Sequence, residues 1–203
     1  MELKTENISF AYKKNKPILK DFSISIPNNK VIGLIGDSGS GKSTLCKIMS
    51  GYLSNYTGSV TIDDNKIDKK GFHPVQLIFQ HPEKTMNPKW KMHKILSESW
   101  NPPEELKQTF GLKENWMNRW PSELSGGELQ RFSILRALNP STKFIVADEI
   151  STMLDAVTQV QIWDALLEYS KNNKIGVMAV SHDKDLLEVI CDDVLFFNEI
   201  NQI

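Results

Sequence analysis

The sequence predicts an α/β fold: a mainly parallel β-sheet with helices, flanked by antiparallel strands and interrupted by a mostly helical insert. Three observations carry this reading. Four unbroken apolar runs, VIGLIG (31–36), VQLIF (75–79), KFIVAD (143–148) and IGVMAV (175–180), suit strands covered on both faces. Two N-terminal stretches alternate apolar and polar residues, as strands with one wet face do. A central stretch rich in Pro, Trp, Asn and Lys has no strand pattern.

In chain order, LKTENISFAY (3–12) and FSISIP (22–27) form the antiparallel flank. VIGLIG opens the parallel sheet and runs into a glycine loop, with a helix over 42–51 behind it. VQLIF is the next buried strand. Short helical pieces follow at 92–99, 104–110 and 114–118. Longer helical patterns occupy 127–139, 156–171 and 183–191, and each of the first two leads into a buried strand. The expected organisation is a core of residues 1–80 and 125–203, with a helical insert at 81–124. At 203 residues the chain is long enough for one such domain with a full core.

Composition sets bounds on function. The net charge of −1 gives no global field for nucleic acid or an acidic membrane, so anion binding has to be local. No run approaches the eighteen or so apolar residues needed to span a bilayer. MELKTENISFAY lacks the basic segment and apolar core of a signal peptide, which predicts a cytoplasmic protein. Cys46 and Cys191 match neither a disulfide framework nor a metal site and read as reduced packing residues. His73, His81 and His93 have no paired ligand spacing.

The chemistry is concentrated in two motifs. Gly36-x-x-x-x-Gly41-Lys42-Ser43 lies between a strand and a helix, the context of a phosphate cradle. Gly36, Gly39 and Gly41 let successive backbone N–H groups turn inward, with Ser38 and Ser40 between them. The helix starting near Lys42 adds its positive end. Lys42 is placed to reach the β and γ phosphates, and Ser43, followed by Thr44, to ligate Mg²⁺. In FIVADE (144–149) an apolar strand ends in two acids at the edge where open α/β sheets bind ligands. Asp148 suits the Mg²⁺ shell, and Glu149 suits proton abstraction from, or orientation of, an attacking water. Neither motif explains ELSGGELQR (123–131), a second Ser-Gly-Gly turn opening a helix with no lysine of its own. Ser125 and Glu128 have capping-box spacing.

Together these segments resemble the ATP-binding cassette ATPases, the nucleotide-binding subunits of ABC transporters, over essentially the whole chain. GDSGSGKST (36–44) resembles the Walker A loop of this P-loop NTPase family, FIVADE its Walker B strand, and LSGGE (124–128) its signature. Gln80 matches the Q-loop glutamine, STMLD (151–155) resembles the D-loop ending in Asp155, and His182 in AVSHD resembles the switch histidine. Tyr12 sits where the family places an aromatic that stacks on adenine. The resemblance implies ATP and Mg²⁺ as ligands, with Ser43, Gln80 and Asp148 at the metal. It also implies two cassettes facing head to tail, so that Ser125, Gly126 and Gly127 of one cap the γ-phosphate held by the other. Glu149, His182 and Gln80 would then serve hydrolysis.

Two stretches narrow the branch. FQHPEKTMNP (79–88) is similar to a segment of peptide, nickel and metallophore importers, and LDAVTQVQIWDAL (154–166) looks like the helix after the D-loop in that branch. The implied assembly has a second ATPase subunit, identical or related, transmembrane permease subunits, and a solute-binding protein acting indirectly. It would sit peripherally on the inner face of the cell membrane, without nucleic acid. The chain departs from the family pattern at Ile150, Met153 and Glu128, where Pro, a small residue and Gln are usual. Its end, FFNEINQI, lacks the Cys-containing tail often found in peptide importers. The four tryptophans Trp90, Trp100, Trp116 and Trp120 lie in or beside the insert and read either as its core or as a partner surface. The alternative function is a soluble cassette acting on ribosomes or DNA, against which stand a single cassette, no heptad tract and no basic face.

Overall fold

The computed structural model describes residues 1–203 except Asn15, Lys69, Met153 and Gln202, so the Met153 departure lies outside the described residues. The chain forms two compact units. One comprises Met1–Leu77, Ser141–Glu149 and Ser170–Ile203; the other comprises Ile78–Pro140 and Ile150–Tyr169.

The first unit is built on strands β1 (Glu2–Lys13), β2 (Lys16–Pro27), β3 (Val31–Ile35), β4 (Thr57–Ile62), β5 (Asn65–Lys66), β6 (Val75–Ile78), β7 (Phe144–Asp148), β8 (Gly176–Ser181) and β9 (Asp193–Phe196). They form two sheets. The antiparallel sheet has the order β2-β1-β4-β5, with Leu3 opposite Ile26 and Thr5 opposite Ile24. Alternation does what the sequence leads one to expect: Leu3, Ile8, Phe22 and Ile26 are buried, and the residues between them mostly face out. The β4–β5 hairpin was not among the expected elements. Its signal is Asp63-Asp64, both left-handed at φ 50° and 61°, a pair suited to the two-residue turn that matches strand twist. Asp63 also accepts the Glu2 backbone N–H at 2.7 Å, tying the hairpin to β1.

The other sheet has the order β6-β7-β8-β3-β9, with β7, β8, β3 and β9 parallel. Every residue of β7 and β8 is buried, which is why their sequences show no alternation. Asp148 pairs with Val180 and Ile35 with Ser181. That parallel register brings the ends of β3, β7 and β8 to one edge, where the glycine loop, Glu149 and His182 follow. The short β9, Asp193-Val194-Leu195-Phe196, is an edge strand, exposed or half-exposed throughout. Helices α1 (Lys42–Met49), α6 (Lys184–Ile190) and α7 (Phe197–Ile200) complete the unit.

The second unit is helical. Its helices are α2 (Met92–Ser97), α3 (Glu104–Thr109), α4 (Gly126–Ala137) and most of α5 (Ala156–Asn172), with 3₁₀ turns at 82–84, 114–116 and 121–123. Met92, Ile95, Phe110, Trp116, Phe132 and Leu135 are buried. Short helices lose stability through unsatisfied ends, and here side chains and loops supply partners. Trp100 Nε1 donates to the Leu135 carbonyl at 2.8 Å and Ser99 Oγ to that of Arg136 at 2.8 Å, satisfying the end of α4. Met92 and His93 backbone N–H groups bond the carbonyls of Arg119 and Met117, fastening the start of α2 to that segment. The tryptophans divide accordingly: Trp116 is core, whereas Trp120 is 40% exposed.

Candidate nucleotide site

The glycine loop fits a polyanion in this structure's own terms. Gly39 and Gly41 take φ of 81° and 118°, and a Cβ at Gly41 would stand 3.0 Å from the Ile18 carbonyl oxygen. Only glycine accommodates both constraints at position 41. The loop hands the chain to α1 with no side chain capping the first turn. Ser40 Oγ is buried without a hydrogen-bond partner, an unpaired polar atom that an anion's oxygens would satisfy. Lys42 is 5% exposed, and its Nζ donates to the Gly36 and Asp37 carbonyls, each at 2.7 Å. A buried ammonium hydrogen-bonded to neutral carbonyls is matched to incoming negative charge. Ser38 is exposed at the loop tip, as is Ser43, while Thr44 is buried.

Beside this loop stand the acids that end β7. Asp148 is 6% exposed. Burial pushes its carboxyl above the usual range, opposed by the hydrogen bond with Ser43 and reinforced by the charge of Glu149, while Lys42 also opposes it. A group raised in the folded state stabilises the fold only below its unfolded pKa, and that contribution is lost as pH rises. Asp148→Asn is therefore expected to raise the melting temperature of the protein in chelator at neutral pH. The advantage should shrink toward the pH range of an unperturbed carboxyl, as scanning calorimetry across pH would show.

The Ser43 hydroxyl and Asp148 carboxylate are hard oxygen ligands of the type Mg²⁺ takes. Among the described residues no cluster of three or more His, Cys, Asp or Glu could hold a metal alone. Such a pair fits an ion that fills its remaining positions with phosphate oxygens and water.

Glu149 has a left-handed backbone, φ 49°, and its N–H bonds the Val180 carbonyl at 3.0 Å. For a residue with a Cβ that conformation costs about 1–2 kcal/mol. The constraint places its carboxylate within 3.4 Å of His182 Nδ1, where Glu149 is 15% exposed and His182 61% exposed. Tyr12 is 60% exposed; its hydroxyl lies 3.3 Å from Thr44 Oγ1, and its ring packs edge-on against Phe10 at 4.8 Å. The first unit thus gathers Tyr12, Lys42, Ser43, Thr44, Asp148, Glu149 and His182.

Gln80 and the Ser-Gly-Gly turn belong to the second unit. Gln80 is half-buried, two residues past β6. Ser125 caps α4: its Oγ accepts the Glu128 N–H at 3.3 Å while Glu128 accepts the Ser125 N–H at 2.8 Å. Asp155 caps α5, accepting the Thr158 N–H at 3.0 Å and its hydroxyl at 2.7 Å, and these bonds hold its carboxyl below the usual range. A cavity of about 530 Å³ lies between them, lined by Ser125, Gly126, Gly127, Arg131, Asp155 and neighbours. Leu154 was missed by the sequence reading. Its Cδ2 would be 3.1 Å from a Cβ on Gly127, so it packs beneath the glycine turn. No local pattern marks that contact, because it joins residues from two helix starts.

A buried parallel strand, a glycine loop with one lysine, a helix start and an acid pair define a P-loop nucleoside triphosphatase. The profile of the ABC transporter family matches residues 19–152, and the chain belongs to that family as an ATP-binding subunit, an ATPase. It is similar to the nickel import system ATP-binding protein NikE of Staphylococcus aureus, 29% identical over 97% of this chain and 87% of that protein. Among solved structures it is similar to a dimeric ATP-binding cassette in a post-hydrolysis state with ADP and Pi (TM-score 0.81, 24% identity, 96% and 93% of the two chains). It is also similar to cbiO1 of Clostridium perfringens, part of the transporter complex cbiONQ (TM-score 0.77, 24% identity, 96% and 83%). These agree with the α/β fold expected from the sequence. Among the described residues no helix is long and apolar enough to cross a membrane.

Proposed function

We propose that this chain is the motor subunit of a bacterial importer that takes up nickel, a metal–metallophore complex or short peptides. Its ATP would be sandwiched between two cassettes arranged head to tail. The single observation that carries the shared-site reading is the Ser125 turn: it has a hydroxyl, two glycines and a helix start, yet no lysine, while the lysine-bearing loop belongs to the other unit. A turn that offers half a site and a loop that offers the other half call for a partner, either a second copy or a related cassette. The similarity to NikE supports the nickel reading.

In this reading Lys42 and the loop N–H groups hold the β and γ phosphates, and Tyr12 stacks on the adenine. Ser43 and Asp148 would hold Mg²⁺, which would supply neutralisation of the phosphate charge. Closure brings the partner's signature turn over the γ-phosphate and excludes water other than the nucleophile. Glu149 accepts that water's proton, and His182, already beside it, keeps the carboxylate oriented. Asp155 is engaged as a helix cap, so its contribution is to position the segment next to Gly127. Permease subunits transmit the closure to the membrane, and the assembly works at the inner face of the cell membrane.

Ser125→Arg tests the shared site. The exposed turn tolerates the side chain, so nucleotide binding to the single chain should persist while ATP-dependent pairing of the Glu149→Gln background is lost. Light scattering with and without ATP reads this directly. Pairing that survives the arginine removes Ser125 from the interface.

A further inference from the structure

We propose that a basic, tryptophan-bearing face of the second unit binds the anionic headgroup surface of a membrane directly, independently of any permease. The stretch 84–94, KTMNPKWKMHK, contains four lysines and no acid. It contributes +4 in a chain whose net charge is −1. Lys84, Lys89 and Lys94 are exposed, and Lys91 is half-buried. Among the described residues none of these lysines, nor Arg119, forms an ion pair. The backbone bonds from Met92 and His93 to Arg119 and Met117 bring Arg119 and Trp120 alongside. Lys94 Nζ stands 4.1 Å from the centre of the Trp90 ring and Lys91 Nζ 5.9 Å from that of Trp120. Two acids flank the patch, Glu123, which accepts the Trp120 N–H at 2.7 Å, and Glu83, 3.3 Å from His81 Nδ1; against four lysines and Arg119 they leave the surplus positive.

Unpaired cations concentrated on one patch cost electrostatic energy, which an external anion relieves. The choice of residue indicates which anion. A defined carboxylate or phosphate peptide is held best by guanidinium forks, whereas lysine is a hydrated point charge suited to a diffuse field. Here lysines outnumber arginine four to one. Indole rings with one apolar and one polar edge sit at the water–lipid boundary, and lysine stems lie along apolar surface with their heads in the headgroup layer. Each cation near an anionic leaflet is worth roughly fivefold in partitioning. The whole patch would therefore give weak, reversible adhesion that adds to docking on a permease. None of these residues belongs to the phosphate cradle or the Ser125 turn, so the inference stands or falls separately from the nucleotide chemistry.

The test is co-sedimentation of the purified full chain, at low and high salt, with phosphatidylcholine vesicles lacking or containing phosphatidylglycerol. Binding is expected only to the anionic vesicles, fading as salt rises. Lys89→Glu/Lys91→Glu/Lys94→Glu should abolish it, and Lys84→Glu/Lys89→Glu, which touches no stacked cation, should weaken it more than tenfold. ATP hydrolysis by both variants should match the parent. Equal binding to neutral vesicles, no binding to anionic ones at low salt, or full binding by the charge-reversed variants would each overturn the proposal. So would preferential capture of poly-glutamate over anionic vesicles, which would make the face a peptide site.

Discussion

Glu149→Gln is expected to lower the ATP turnover number by roughly 10²–10⁴-fold, the usual contribution of a positioned general base, with nucleotide affinity nearly unchanged. The amide keeps the shape and the hydrogen-bonding reach of the side chain but cannot accept a proton. Its position reinforces the point. A left-handed glutamate is a strained choice at the end of a strand, and strain of this kind persists where surrounding structure over-determines it. Here the bond from its N–H to Val180 and the contact with His182 do so. The experiment pairs steady-state phosphate release with a fluorescent-nucleotide titration. A variant that turns over at the parental rate would take Glu149 out of the reaction, and one that loses binding as well would make it structural.

Phe144→Ala should cost about 3–5 kcal/mol of folding stability, read as a lowered midpoint of urea unfolding in the presence of chelator. Phe144 is fully buried at the start of β7, and its ring occupies the space where Gly176 has no side chain. A Cβ on Gly176 would fall 2.6 Å from Phe144 Cδ1 and 2.7 Å from the Pro27 carbonyl oxygen. The ring therefore fills a slot that neighbouring backbone cannot close, and truncation leaves most of the cavity open. The same strand ends in Asp148, with Glu149 next in the chain, so partial loosening should weaken nucleotide binding before the protein unfolds.

The buried strands were legible because their environment is uniform along their length. FIVA (144–147) and IGVMAV (175–180) show no alternation because every residue of their strands is buried. The β4–β5 hairpin and β9 were missed for opposite reasons. The first is punctuated by two aspartates in place of the glycine that usually marks such a turn, and the second is a four-residue exposed edge whose apolar residues, Val194 to Phe196, run straight into the next helix.

The phosphate loop could be read from spacing because glycine, lysine and serine act within one continuous turn, where chain connectivity alone sets their separation. The same holds for the capping box that makes Ser125 the start of α4. Local chemistry was thus readable along the chain: which residues cradle phosphate, which strand ends in acids, and where helices begin. Which of these meet was set by packing in three dimensions. Parallel register brings His182 to Glu149, burial raises the carboxyl of Asp148, and Leu154 comes to rest against Gly127. Those contacts depend on packing between distant segments, and packing leaves no periodic trace in either partner.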